Sequence, residues 1–329
     1  MDETLIATML ASTLRVSTPL ILGALAGCLS ERAGVIDMGL EGKMLLCAFM
    51  AGSVGVASGS LTLALMAAVA VGVALSMLQG YACVTHRGDQ VVTGMAITMT
   101  AAGLTVVLGM AWFGQGGQTP PVPESVRLAP WGQSLGAELQ TWPVVGPALG
   151  SIVAGALLGH NVLVYLSLVL VVIVWWLLYR TRLGLRLRAT GENPAMVDAA
   201  GLSVKGLRYQ ALGLNGVLCA LAGSYLVLGL NSSFIPHMTA GRGYMALAAM
   251  IFGKWHPVGA LAACGLFGFL DALSIRLQGA TLPPAWGGGA VPVQAIQALP
   301  YVLTVVLLAG FMGKSRAPAA LGVPYVKER

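Results

Sequence analysis

The chain has 329 residues, of which 57% are hydrophobic and only 9% charged. Soluble domains carry about 25% charged residues, so the composition excludes a soluble enzyme and specifies an integral membrane protein. The net charge of +6 is modest and gathers in one central stretch and the tail. It bears on membrane topology and gives no footprint for nucleic acid.

A helix needs about 20 apolar residues to cross a bilayer. The first run is Leu5 to Leu29, interrupted by Arg15, Ser17 and Pro19. Asp2 and Glu3 stand where a cleavable signal has its basic start, so this run is expected to remain as an anchor. The second, Val35 to Val56, carries Asp37, Glu41 and Lys43 in its first turns. Leu61 to Val84 is clean except for Gln79, a polar loop covers Thr85 to Gln90, and Val91 to Phe113 is the fourth span. Gly114 to His160 is rich in Gly and Pro and is not basic, which places it outside. Its later part, Val144 to Leu158, is too short to cross and reads as a half-helix in the surface.

The fifth run is Asn161 to Tyr179 and the sixth Tyr209 to Leu230, with Asn231 to His237 as an outer loop. Thr239 to Gly253 is apolar but short, and Lys254 stops it inside. Val258 to Ile275 and Ala295 to Met312 complete an all-α fold of about nine transmembrane helices, within a range of 8–10. Residues 1–329 read as a single membrane domain, with the N-terminus outside and the C-terminal tail inside.

Between the fifth and sixth runs lies a polar island, residues 180–208. It holds six cations (Arg180, Arg182, Arg186, Arg188, Lys205, Arg208) against Glu192 and Asp198. A short loop this basic is retained in the cytoplasm. Within it Asn193 is a good N-cap, Pro194 suits the first helical position, and Gly201 is a natural stop after about two turns. A small surface helix held between two spans reads as a docking knob.

The chain also matches itself. Gly42, Met44, Leu46, Ala48 and Gly52 recur as Gly243, Met245, Leu247, Ala249 and Gly253 at one offset, and Ala24-Leu-Ala-Gly27 recurs as Ala220-Leu-Ala-Gly223. The abundance of Gly, Ala and Leu offers chance as the other explanation. Taken at face value, halves of about 5–114 and 209–313, linked by 115–208, are inverted relative to each other. Transporters commonly use such repeats, with broken segments near the substrate path.

Three stretches carry a resemblance: ERAGVIDMGLEG (31–42), RATGENP (188–194) with AAG (199–201), and TAGRGYMALAAMIFGKW (239–255). Together they resemble permease subunits of bacterial ATP-binding-cassette importers in the branched-chain amino-acid, ribose and nucleoside superfamily. The nearest branch is the nucleoside importers paired with basic-membrane-lipoprotein-type binding proteins. The similarity runs from about Leu5 to Phe311. It implies a type II importer-like inverted repeat, location in the bacterial inner membrane, and a second permease subunit, identical or paralogous. It also implies separate ABC ATPase subunits that hold ATP and Mg, and an extracytoplasmic substrate-binding lipoprotein. The coupling loop of such permeases maps onto Arg188, Thr190, Gly191, Glu192, Asn193, Pro194, Ala199, Ala200 and Gly201.

For Glu192 the alternative is an acid favoured by a helix dipole. Asp37, Glu41, Gly42, Arg242 and Gly243 are candidates for the translocation path, or interfacial groups fixing helix ends. Asn215 either meets a polar solute or bonds between helices. Asn231, Ser232 and Ser233 form the candidate docking surface for the binding protein, or an ordinary polar loop. Gly313-Lys314-Ser315 imitates a phosphate-binding loop, but Leu308 stands where that motif needs glycine. ATP therefore belongs to a partner, and no cofactor or metal is expected in this chain. The five cysteines lack metal-ligand or CxxC spacing, and neither HExxH nor GxSxG occurs.

The resemblance thus implies a non-catalytic permease subunit that imports a small polar solute, a nucleoside or nucleobase first. Riboflavin or a sugar-like solute is the alternative within that class. A secondary transporter driven by an ion gradient is the rival class; it would want paired intramembrane carboxylates or an ion-binding unwound helix.

Overall fold

A computed structural model of the chain describes residues 3–131, 158–277 and 316–327, with single positions at 294, 298 and 302. The described helices, in order, are α1 (Glu3–Arg32), α2 (Leu40–Ser58), α3 (Leu61–Gly80), α4 (Gln90–Phe113) and α5 (Val162–Arg180). Then come α6 (Arg182–Glu192), α7 (Pro194–Ala199), α8 (Val204–Tyr225), α9 (Arg242–Phe252) and α10 (Pro257–Leu277). Five-residue π turns, Tyr81–Thr85 and Leu226–Leu230, extend α3 and α8.

Seven of these are long and apolar enough to cross a membrane: α1, α2, α3, α4, α5, α8 and α10. They coincide with the first six expected runs and the eighth. The seventh run folds as α9, whose 11 residues reach only about 16 Å at 1.5 Å per residue. That is far short of a hydrocarbon core of about 30 Å. The half-helix expected over Val144 to Leu158 and the span expected over Ala295 to Met312 lie outside the described residues, apart from positions 158, 298 and 302.

The bundle has an inner layer and an outer one. In α2 and α8, 78% of the spanning window is buried, against 22% in α3 and α4. The inner helices are therefore held by protein on most sides, and the outer ones show a broad apolar face. α3 presents small residues inward at helical spacing (Ala64, Ala68, Gly72, Ser76), which lets α2 and α8 approach closely. Its outward face carries Leu63, Met66 and Leu78.

Two helix starts differ from expectation. α2 begins at Leu40, five positions later than the apolar run, because Asp37 turns back and accepts from Gly39 N at 3.1 Å. α8 begins at Val204, before the apolar run at Tyr209. Ser203 caps it, with Oγ accepting from Gly206 N at 3.1 Å. The polar island is more ordered than a loop. Thr181 Oγ1 accepts from Gly184 N at 3.1 Å and starts the amphipathic α6. This helix buries Gly184, Leu187, Thr190 and Gly191 and exposes Arg182, Leu185 and Arg186.

On the far side of the bundle, backbone bonds tie the loop after α4 to the segment after α8. Leu128 N donates to Leu228 O, Val122 N to Ser232 O and Thr119 N to Phe234 O. Pro130–Trp131 also pairs antiparallel with His160–Asn161.

Candidate functional site

Two apolar helices start inside the bundle rather than at its surface. α2 is entered through non-helical chain in which Val35, Asp37 and Gly39 are buried. α9 is entered through chain in which Phe234, Met238 and Thr239 are buried. Non-helical backbone at membrane depth persists only where other groups satisfy it. For α9 the satisfying group is Glu41 of α2: Gly241 N donates to Oε1 at 2.8 Å and Gly243 N to Oε2 at 2.6 Å. The carboxylate also faces the positive end of the α9 dipole. Gly243 lies so close that a Cβ there would stand 2.6 Å from Glu41 Cα. Only glycine allows this crossing. Gly42 is similarly confined, since a Cβ would run into the Thr98 backbone of α4. Arg242 does not join the clasp; its guanidinium donates to Met238 O at 3.2 Å within its own loop.

Two residues further along α2, Lys43 is fully buried. Its Nζ donates to Asp37 Oδ2 at 2.7 Å and to Asn215 Oδ1 at 3.0 Å. Asn215 Nδ2 in turn donates to Ala26 O at 3.0 Å and Ser30 Oγ at 3.4 Å, and its Oδ1 also accepts from Ser76 Oγ at 3.2 Å. One polar network therefore joins α1, α2, α3 and α8. In it Asn215 bonds helix to helix, and Asp37 balances a lysine. Such a buried pair adds little net stability, but losing one partner is expensive. Lys43 was not singled out as a site residue. The available signal was an opposite charge six positions after Asp37 in an otherwise apolar run. Glu31 is a second omission: its Oε2 accepts from Trp255 Nε1 at 2.6 Å, and Arg32 Nε donates to Trp255 O at 3.0 Å.

The island at the other end of α5 and α8 carries its short helix where the sequence places one. Asn193 Oδ1 accepts from Met196 N at 3.2 Å, Pro194 occupies the first turn, and Gly201 has φ +78°. Glu192, Asn193, Ala199, Ala200 and Gly201 are exposed, and Met196 is 70% exposed at the tip. Val197 alone turns inward, against Leu187 and Val204. Thr190 and Gly191 are buried and face the end of α1, so they support the knob from below. Arg188 stacks its guanidinium 4.7 Å from the Tyr179 ring centroid.

At the opposite end, Asn231 and Ser232 are exposed and Ser233 half-buried. Asn231 Nδ2 is turned back to Leu226 O at 2.9 Å.

Among the described residues, seven potential spans, two helices entered beside buried charges and a polar knob at one end describe a multi-pass membrane protein. The chain belongs to the family described as branched-chain amino acid transport system / permease component, whose profile matches residues 9–311. It is therefore the permease of an ABC transporter, an inner-membrane protein. A guanosine ABC transporter permease of Bacillus subtilis (strain 168) is 36% identical over 322 residues, 96% of this chain and 95% of its own. A nucleoside ABC transporter permease of Lactococcus lactis subsp. cremoris is 34% identical over 325 residues, covering 97% and 96%. A Haloferax volcanii permease provisionally named for glucose is 35% identical over 278 residues, covering 84% and 79%.

Proposed function

We propose that the solute this permease carries inward is a nucleoside or nucleobase. The supporting observation is the near end-to-end similarity to two permeases named for guanosine and for nucleosides. Transport needs no covalent chemistry in this chain. ATP and Mg belong to a separate ATPase subunit, which acts on α7. That helix suits the role because it is short, capped by the Asn193 side chain, and exposed at Ala195, Met196 and Ala199, with only Val197 buried. When the ATPase dimer closes, α7 moves with it, the bundle tilts, and the path opens to one side and then the other. A second permease subunit and an extracytoplasmic binding lipoprotein complete the assembly, the latter over Asn231, Ser232 and Ser233.

In this reading the island 180–208 and the C-terminal tail face the cytoplasm, the N-terminus faces outside, and the chain forms one domain of nine crossings built from inverted halves. The two interrupted entries support that symmetry. α2 is entered from the island end and α9 from the opposite end, and their first turns cross at Glu41 and Gly243. The turn-rich chain before α9, in which Phe234, Met238 and Thr239 are buried, completes the crossing that its 11 residues cannot.

Uptake of labelled guanosine by vesicles holding the assembled transporter tests the substrate. Excess unlabelled nucleoside should compete, whereas glucose and leucine should not. Competition by glucose alone would move the assignment to the sugar-like alternative that the Haloferax relative brings.

A further inference from the structure

The segment 316–327 runs across the polar island and bonds to the end of each element that meets there. Ala320 N donates to Gly191 O at 2.8 Å, at the end of α6, and Gly322 N to Gly34 O at 3.2 Å, in the turn between α1 and α2. Ala319 N donates to Glu192 Oε2 at 3.3 Å. Arg208 of α8 sends both terminal nitrogens to Val323 O, each at 3.2 Å. Lys327 Nζ lies 3.3 Å from Asp198 Oδ1 of α7, a pair too exposed to contribute much. Pro318 and Ala320 are buried, and Tyr325 packs on the small apolar cluster of Ala33, Leu187, Val197 and Val204. This segment is a packed part of the fold.

Beneath it the backbones touch with no side chain between them. A Cβ on Gly191 would run into Arg32 O. Gly34, at φ +85°, leaves room for nothing larger, since a Cβ there would stand 3.1 Å from Arg208 Nη2 and 3.2 Å from Ala320 O. On its other side α7 leads into α8 through a turn in which Leu202 N donates to Val197 O at 3.2 Å, and Gly201, at φ +78°, has nothing within 4 Å of where a Cβ would stand. The close backbone-to-backbone contacts thus lie toward the α1–α2 turn. From Gly34 the chain leads directly to Ile36, whose N–H donates to Gln90 Oε1 at 2.7 Å and whose carbonyl accepts from Gln79 Nε2 at 3.1 Å. The next residue is Asp37, partner of Lys43.

We infer that residues 316–327 are a strap that locks α6 and α7 to the α1–α2 turn, so that motion imposed on α7 is delivered to the buried Asp37–Lys43 and Glu41 junction. The inference rests on α7 being the element an ATPase moves, and it assigns positioning roles to Gly34, Gly191, Arg208 and Gly322. Gly322 has φ +77°, and a Cβ there would stand 2.8 Å from Ile36 Cδ1, so Gly322→Val should lift the strap locally.

The test uses the complete transporter in vesicles, with solute moved and ATP hydrolysed measured together. The variants are a chain ending at Arg316 and full-length Gly322→Val. Both should keep the ATPase bound and hydrolysing, while solute moved per ATP falls about fivefold or more, the scale of ordinary inter-site coupling. Unchanged transport per ATP in Gly322→Val overturns the strap. So does loss of the ATPase from purified Gly322→Val complexes, since the segment would then be a docking surface or a plain stabiliser. Met196→Lys separates this from the reading beneath it, because it alters the tip of α7 and leaves the strap untouched. If Met196→Lys changes neither ATPase binding nor transport, the role of α7 itself falls. If it disrupts them while Gly322→Val does nothing, only the strap falls.

Discussion

Lys43 has no exposed surface and answers both Asp37 and Asn215. Lys43→Met strands the Asp37 carboxylate in the bundle, at a cost of about 3–5 kcal/mol. Adding Asp37→Asn removes the stranded charge and still gives Gly39 N an acceptor, so the double variant should recover most of the loss. Thermal unfolding in detergent reads both, and a double variant no more stable than the single one would contradict the pairing. His256, at the start of α10 against the Tyr179 ring, has its pKa lowered from 6.5, first by burial and then by Arg32. The folded chain holds this proton less tightly than the unfolded one, so the His256 contribution is present above pH 6.5 and is lost as pH falls through the lowered pKa. His256→Gln should flatten the unfolding temperature against pH in that window. An unchanged slope would assign the acid sensitivity elsewhere.

The elements divide by how local their causes are. Seven helices long enough to span were legible because each needs only a predominantly apolar run of sufficient length, and α7 because Asn193, Pro194 and Gly201 stand at the ends of a short segment. α6 was legible in principle: Leu183, Leu187, Thr190 and Gly191 fall on one face at helical spacing, although the arginines between them suggested a loop. The clasp at the start of α9 was only half legible. Glu41 and Gly243 stood out by charge and by the repeat, but their contact joins positions 202 residues apart, and no local pattern encodes that. The strap was invisible for the same reason, since backbone donors in 316–327 leave no mark on side-chain chemistry. The clasp has a graded prediction. Glu41→Ala leaves a buried N–H at Gly243 and a half-buried one at Gly241 unmet, the buried one costing about 1–3 kcal/mol, whereas Glu41→Gln keeps one acceptor. Unfolding temperature should fall in the order wild type, Glu41→Gln, Glu41→Ala. Equal values for all three would show that water satisfies the α9 start.

For the whole molecule the arrangement places a buried, charged junction between the exposed knob and the broken helices. Cysteines introduced at Met196 and Ser232 should label from opposite faces of the membrane, Met196 only when the cytoplasmic side is accessible. Labelling of both from one face would invert or abolish the topology. Family membership makes this chain a permease component, and in the proposed function the energy comes from another polypeptide. The most direct measurement is nucleoside uptake by vesicles prepared in two forms: this chain with its partner subunits and ATP, and this chain alone under an imposed ion gradient. Uptake should require the ATPase and ATP and be absent under the gradient. Gradient-driven accumulation by the chain alone, with no response to ATP, would contradict the account.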